Sequence, residues 1–260
     1  MRRLVVGDIH GNLPALHSVL EKANYTFADR LYFLGDYIDR KPYSKEVVEF
    51  IIQLPKKICL RGNHDQFLID HFQQSDRIRP IEPRWYRNGG LEALESYGIG
   101  IQPLSSGRYG TTGEVPESHL EFFQSTLPYY ITPDGIGLVH GGFDLHLHEK
   151  PDEFFWWDRI MWRTAVKIEY LQSGSRLEFR NGEEDEKVEL PFEVADSYPC
   201  FEQLPKIFIG HTNLLSHPNQ EICYPQKRLN VWNIDTGAAY SGPLTIIDMD
   251  TEEYWQSETN

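Results

Sequence analysis

Cysteine is scarce in this 260-residue chain: Cys59, Cys200 and Cys223 are the only three, and no two form a CxxC pair. An odd number without paired spacing argues against a disulfide framework and points to a reducing, cytoplasmic setting. Long apolar runs are absent too. None approaches the roughly 20 residues a helix needs to cross a bilayer, and Met1-Arg2-Arg3 leads straight into a short strand with no apolar leader. No membrane role is expected. Basic charge is in deficit, with 25 Lys and Arg against 39 Asp and Glu and a formal net charge of −14. A protein that grips nucleic acid needs a basic surface, so that class is set aside. A small phosphorylated substrate is not, because a metal in the site can supply local positive charge. There is no internal repeat and no low-complexity linker, and nothing sets an oligomeric state.

What is present suffices for a substantial core: 40% of residues are apolar and 13% aromatic. The length suits one domain over 1–260. The first 75 residues alternate strand and helix. Strands are expected over Arg3–Gly7, Arg30–Leu34 and Ile58–Leu60, and helices over Leu13–Ala23, Ser44–Leu54 and Gln66–Phe72. Such alternation predicts an α/β fold with parallel strands. Residues 76–130 change character, with Arg77, Arg79, Arg84 and Arg87 set among Trp85, Tyr86 and prolines. They read as a helical cap with a substrate-facing role for the arginines. Later strands are expected over Ile136–Val139, Lys206–Ile209, Leu229–Ile234 and Leu244–Met249, with a second insertion over about 149–205. That insertion holds Phe154-Phe155-Trp156-Trp157, read as core packing. It also holds an acidic stretch, Glu178 to Glu193, read as a solvated hairpin turning at Asn181-Gly182.

The chemistry sits just past the strands. Five short apolar runs end in Gly–Asp, Gly–Asn or a histidine beside glycine: Val5 to Gly11, Phe33 to Arg40, Leu60 to Asp65, Leu138 to Gly142 and Phe208 to Thr212. A strand that ends this way delivers a side chain to the carboxyl rim of a sheet, where open α/β sheets place their sites. Asp8 and His10 can face one ion. The two oxygens of Asp36 can bridge a pair of cations about 3.5–4 Å apart. Asn63 adds an amide oxygen, and His140 and His211 add imidazole nitrogens. A set of oxygen and nitrogen donors without sulfur favours two divalent ions of the Mn²⁺, Fe or Zn²⁺ type over Ca²⁺ or a thiolate zinc site. Any one of these residues reads more simply as a turn or a cap. Their joint recurrence does not. His64 lies beside the metal ligands, where Asp39 can orient it as a proton donor. Arg40 and Arg163 offer guanidinium forks for phosphoryl oxygens.

These segments resemble the phosphoprotein phosphatase branch of the calcineurin-like metallophosphoesterases: GDIHG, GDYIDR, GNHD, HGG, Trp162-Arg163 and GHT occur in family order, and Asn233-Ile-Asp235-Thr-Gly237 resembles its closing segment. The resemblance implies a central β-sandwich of two mixed sheets flanked by helices. It implies a first metal on Asp8, His10 and Asp36, and a second on Asp36, Asn63, His140 and His211. His64 with Asp39 would then be the proton donor pair, and Arg40 with Arg163 the phosphate clamp beside Asn63. Asp65 stands where eukaryotic members carry Glu, so the chain looks like the bacterial or phage-type serine/threonine phosphatases. Asn88-Gly89-Gly90 followed by Leu94-Glu-Ser-Tyr97-Gly98 resembles the protein phosphatase cap. The expectation is a dimetal phosphomonoesterase acting on phosphoserine, phosphothreonine or phosphotyrosine in proteins, by direct attack of a metal-bridging hydroxide. The alternative is a dinucleoside polyphosphate hydrolase on the same core, and a non-catalytic module that keeps the fold is a third reading.

Overall fold

A computed structural model describes residues 1–143, 151–172, 203–216 and 223–259. Strand β1 (Arg3–Val6), helix α1 (Leu13–Lys22), β2 (Arg30–Phe33), α2 (Ser44–Gln53), β3 (Lys57–Cys59) and α3 (Asn63–Phe72) follow the expected alternation. β1, β2 and β3 run parallel. β12 (Thr245–Asp248) and β13 (Tyr254–Gln256) extend the sheet antiparallel on the other side of β1, giving the order β13-β12-β1-β2-β3. A second mixed sheet holds β7 (Tyr129–Ile131), β8 (Gly137–Val139), β9 (Ile207–Ile209), β10 (Gln226–Arg228) and β11 (Val231–Asn233) in the order β10-β11-β9-β8-β7. Here β8, β9 and β11 are the parallel members.

Strand alternation explains the layering, since neighbouring side chains point to opposite faces. Val5, Tyr32, Leu34, Leu138, Phe208 and Ile247, drawn from both sheets, share one buried cluster, the sandwich interior. Their neighbours Leu4, Val6, Leu31, Phe33 and Ile246 face the other way, into the layer with α1 and α2. Val139, Ile207 and Ile209 turn to the opposite outer layer, against α7 (Glu153–Trp157) and α8 (Ile160–Gln172). Each sheet is therefore covered on both faces, as its near-continuous apolar strands require.

The segment read as a helical cap also contains a small antiparallel sheet of β4 (Arg79–Pro80), β5 (Ile101–Pro103) and β6 (Tyr109–Thr111), in the order β4-β6-β5. Its helices are α4 (Pro83–Trp85), α5 (Leu91–Ser96) and α6 (Glu117–Ser125). Of the second insertion, the acidic stretch, Asn181-Gly182 and Cys200 lie outside the described residues. Cys59 is a free thiol. Among the described residues no helix is long and apolar enough to cross a membrane.

Candidate metal centre

Asp8, Asp36 and Asn63 follow β1, β2 and β3, while His140 and His211 follow β8 and β9. Each lies past the carboxyl end of a parallel strand, and together they join the two sheets at one rim. Asp8, His10, Asp36, Asn63, His64, His140 and His211 are all at most 5% exposed. The backbone there is held in uncommon conformations: His10, Asp36, Asp39, Arg40 and His211 are five of the eight non-glycine residues with positive φ among the described residues. Clustering of that kind marks functional sites, because strained backbone persists only where its surroundings over-determine it.

Asp36 is the hub. Its Oδ2 lies 3.4 Å from His10 Nε2 and 3.4 Å from His140 Nε2. Its Oδ1 accepts the His64 N–H at 3.0 Å. Two sets of donor atoms, each within 4.8 Å of one another, share it: His10, Asp36 and His64 form one, and Asp36, His140 and His211 the other. Burial opposes ionisation, but His140, His64 and His10 hold the Asp36 carboxyl well below the usual carboxylate range. Asp8 accepts the His211 N–H at 3.1 Å through Oδ2, and burial with Asp235 and Asp36 nearby pushes its carboxyl up. Two glycines make room for these acids. A Cβ on Gly62 would lie 2.0 Å from Asp36 Oδ1, and one on Gly210 would lie 2.0 Å from Asp8 Oδ1. These two motif glycines thus seat aspartates carried by other strands, Gly62 that of β2 and Gly210, across the rim, that of β1.

The arrangement suits metal ions. His10 Nδ1 and His140 Nδ1 are engaged by the carbonyls of Ile38 and Leu34, at 3.0 and 2.9 Å, which fixes both rings with Nε2 toward Asp36. Such backing is the usual support of a ligating imidazole. His140 Nε2 also lies 3.3 Å from Asn63 Oδ1. His211 Nε2 is buried with no hydrogen-bond partner, an orphan that a cation would satisfy.

His64 and Asp39 meet as expected, Nδ1 to Oδ2 at 2.5 Å. Trp85 Nε1 donates to both Asp39 oxygens, at 3.1 and 2.9 Å. Burial pushes His64 down to about 4 and Asp39 well above its usual range, so neither favours carrying charge alone. Arg40 donates through Nη1 to Tyr240 Oη at 2.5 Å, and its Nε is buried without a partner. Arg163 is exposed. Four residues earlier, the half-buried Arg159 reaches the rim and donates to the His211 carbonyl at 2.7 Å.

Sequence reasoning missed several residues. Arg159 carries no motif signal beyond its nearness to Arg163, and Asp235 lies within the closing segment but is given no role. Trp85, read only as part of a helical cap, is fully buried. Arg79 is spent on Glu114 and the Gly113 carbonyl, while Arg77, Arg84 and Arg87 are exposed. Of the Phe/Trp run, Phe155 and Trp156 are core as read, but Trp157 is half-buried with its ring 6.0 Å from that of His211.

The chain is similar end to end to a symmetrical bis(5'-nucleosyl)-tetraphosphatase of Methylococcus capsulatus, 26% identical over 94% of this chain and 90% of the relative. A crystal structure provisionally assigned as a diadenosine tetraphosphatase superposes with a TM-score of 0.60 at 16% identity, over 98% of this chain and 92% of that one. The cold-active protein-tyrosine phosphatase of a psychrophilic Shewanella gives 0.52 at 14% identity, over 99% and 80%, and shows a shared fold alone. The expected protein phosphatase is thereby corrected: relatives matching over nearly the whole chain are named as symmetrical tetraphosphatases and not as serine/threonine phosphatases. The cap cue behind that expectation has a structural explanation. Gly89 accepts the Arg40 N–H at 3.2 Å and Gly90 packs on the Trp85 ring. Ser96 accepts the Lys45 N–H at 2.8 Å, and Tyr97 bonds His119 at 2.9 Å. Those residues hold the cap to the Asp39–Arg40 loop and to α2, and say nothing of substrate. The calcineurin-like phosphoesterase profile matches residues 1–235, and the chain belongs to that family of metal-dependent hydrolases of phosphoester bonds.

Proposed function

We propose that this protein hydrolyses a phosphoanhydride bond of a dinucleoside polyphosphate, with bis(5'-nucleosyl) tetraphosphates as the substrate class. The observation that carries it is the end-to-end similarity to a protein named for that activity, on a rim where two groups of buried donors share Asp36. A cytoplasmic setting goes with this reading, supported by the sparse cysteines.

Asp8, His10 and Asp36 would hold one ion, and Asp36, Asn63, His140 and His211 a second, with Mn²⁺ the best match to a mixed oxygen and nitrogen set. When bound, such a pair lowers the pKa of water and offsets negative charge on phosphoryl oxygens. The residues do the rest. Arg40, with its unpartnered Nε, and the exposed Arg163 take phosphate oxygens. His64, its Nδ1 held by Asp39, has Nε2 left to give a proton to the departing oxygen. An anhydride leaves as a phosphate, a far weaker base than an alkoxide, so this donor matters less than it would for an alkyl ester.

That contrast gives an expected result for His64→Asn. On an alkyl phosphate kcat should fall about 10²–10⁴-fold, the usual cost of losing a general acid, and on diadenosine tetraphosphate by much less, with metal content unchanged. Equal losses, or the loss of one ion, would make His64 a ligand, as its place in the His10–Asp36 set permits.

The substrate assignment is tested by kcat/KM on diadenosine tetraphosphate and on a phosphothreonine peptide, with Mn²⁺ present. A preference of a hundredfold or more for the dinucleotide is expected, about 2.7 kcal/mol of transition-state binding. Symmetrical cleavage would leave two phosphates on each nucleoside. A preference for the peptide overturns the reading.

A further inference from the structure

One aromatic corner at the mouth of the metal centre has no part in the chemistry above. Trp157 ends α7, and that helix is fastened to the His140 loop by the Gly141 N–H, which donates to the Phe155 carbonyl at 2.7 Å. While Phe155 and Trp156 are buried, Trp157 stays half exposed. Its ring stands edge-to-face with His211 at 6.0 Å and with Phe67 at 5.6 Å. Phe67, also half exposed, stands 6.2 Å from His64. The corner thus touches a member of each donor set. Arg84 arrives from the cap, its guanidinium carbon 3.8 Å from the centre of the Trp157 ring. Arg84 is exposed and makes no ion pair among the described residues, although the chain carries a net charge of −14.

We propose that Trp157, walled by Phe67, seats one nucleobase of the dinucleotide, and that Arg84 contacts the phosphates leading to it. The proposal rests on the substrate class given above and names the residues that select it. A planar cation stacked on Trp157 shows that this face accepts a flat group from outside the core. A nucleobase is such a group, and its π-surface stacks on an indole whatever its identity. The base takes the place of the guanidinium on the ring, and the released Arg84 meets the anionic chain that runs from the base toward the metals. A phosphorylated serine or threonine peptide presents no flat group to this corner, so the same residues separate the two substrate classes.

The test compares inhibition by ADP and by inorganic pyrophosphate, together with kcat/KM on diadenosine tetraphosphate and on p-nitrophenyl phosphate. In the wild type ADP should inhibit more tightly than pyrophosphate, the difference being its nucleoside. Trp157→Ala should shrink that difference by about 5- to 150-fold, the range for one stacked base, and lower the dinucleotide-to-ester selectivity in step. Trp157→Phe should retain most of both. Arg84→Ala, at an exposed position, should raise KM for the dinucleotide more than for the ester. If Trp157→Ala keeps the wild-type ADP-to-pyrophosphate ratio, or slows both substrates equally, the corner is only packing and the proposal falls. A wild type that shows no preference for the dinucleotide removes the substrate reading itself, and this inference with it. A wild type that prefers it while Trp157→Ala prefers it to the same extent overturns the base seat alone.

Discussion

Asp36→Asn should empty both donor sets at once and lower kcat by about 10³-fold or more, roughly 4 kcal/mol of transition-state stabilisation. The replacement keeps the shape and an oxygen for the His64 N–H, which Asp36 Oδ1 accepts at 3.0 Å, so the fold should survive. What it removes is the negative charge next to His10 and His140, both 3.4 Å from Oδ2. Since Asp36 is the one residue in both sets, metal analysis of the purified variant should find neither ion, whereas His211→Ala should lose the second set alone. A variant that retains both ions and stays within tenfold of wild-type kcat would show that Asp36 does not join the two sets.

Asp65→Ala should be the most damaging change to stability among the motif residues. Asp65 is fully buried, and its carboxylate accepts the N–H of Gly62 at 2.8 Å, of Asp36 at 2.8 Å and of Tyr37 at 3.0 Å. Burial and the charge of Asp36 push the Asp65 carboxyl up to about 8, while the amides of Gly62 and Tyr37 pull it down. Alanine would leave three buried donors without an acceptor. At about 1 kcal/mol or more for each, the loss is about 3 kcal/mol, or a drop in Tm of roughly 6–12 °C for a domain of this size. Asp65→Asn retains one acceptor oxygen and should fall between. A shift below about 3 °C for the alanine variant would mean that the amides find other partners. The two loops carrying Asp36 and Asn63 are pinned through this one side chain, so activity should fall even at temperatures where the variant is folded.

Much of this rim is legible in the sequence because a short apolar run ending in glycine is a local signal, readable without knowing what it packs against. Asp8, His10, Asp36, Asn63, His140 and His211 were each placed by such a run, and the structure brings them together. Signals that depend on tertiary partners were not legible. Trp85 sits among arginines in a stretch whose sequence assigns it no partner, yet it is buried and reaches Asp39. Trp157 sits in an apolar run and looks like core, yet it faces the site. Helix α3 begins at Asn63, not near Gln66, because its cap is built by the Asp65 side chain reaching back to Gly62, with no Ser or Thr to announce it. The β4-β6-β5 sheet has strands of two or three residues, too short to show a period. The substrate was misread because Asn88-Gly89-Gly90 suggested a function, whereas its contacts with Arg40 and Trp85 are structural.

The five left-handed residues at the rim carry a consequence for how this protein tolerates change. At about 1 kcal/mol for each non-glycine residue in that region, His10, Asp36, Asp39, Arg40 and His211 together store about 5 kcal/mol. The whole net stability of a domain is about 5–15 kcal/mol. The net figure already contains this strain, so what the rim costs is stability the fold would otherwise have. Glycine at His10 or His211 should relax the backbone and raise the melting temperature of a protein that no longer works. Robustness to mutation and competence at the rim draw on the same reserve.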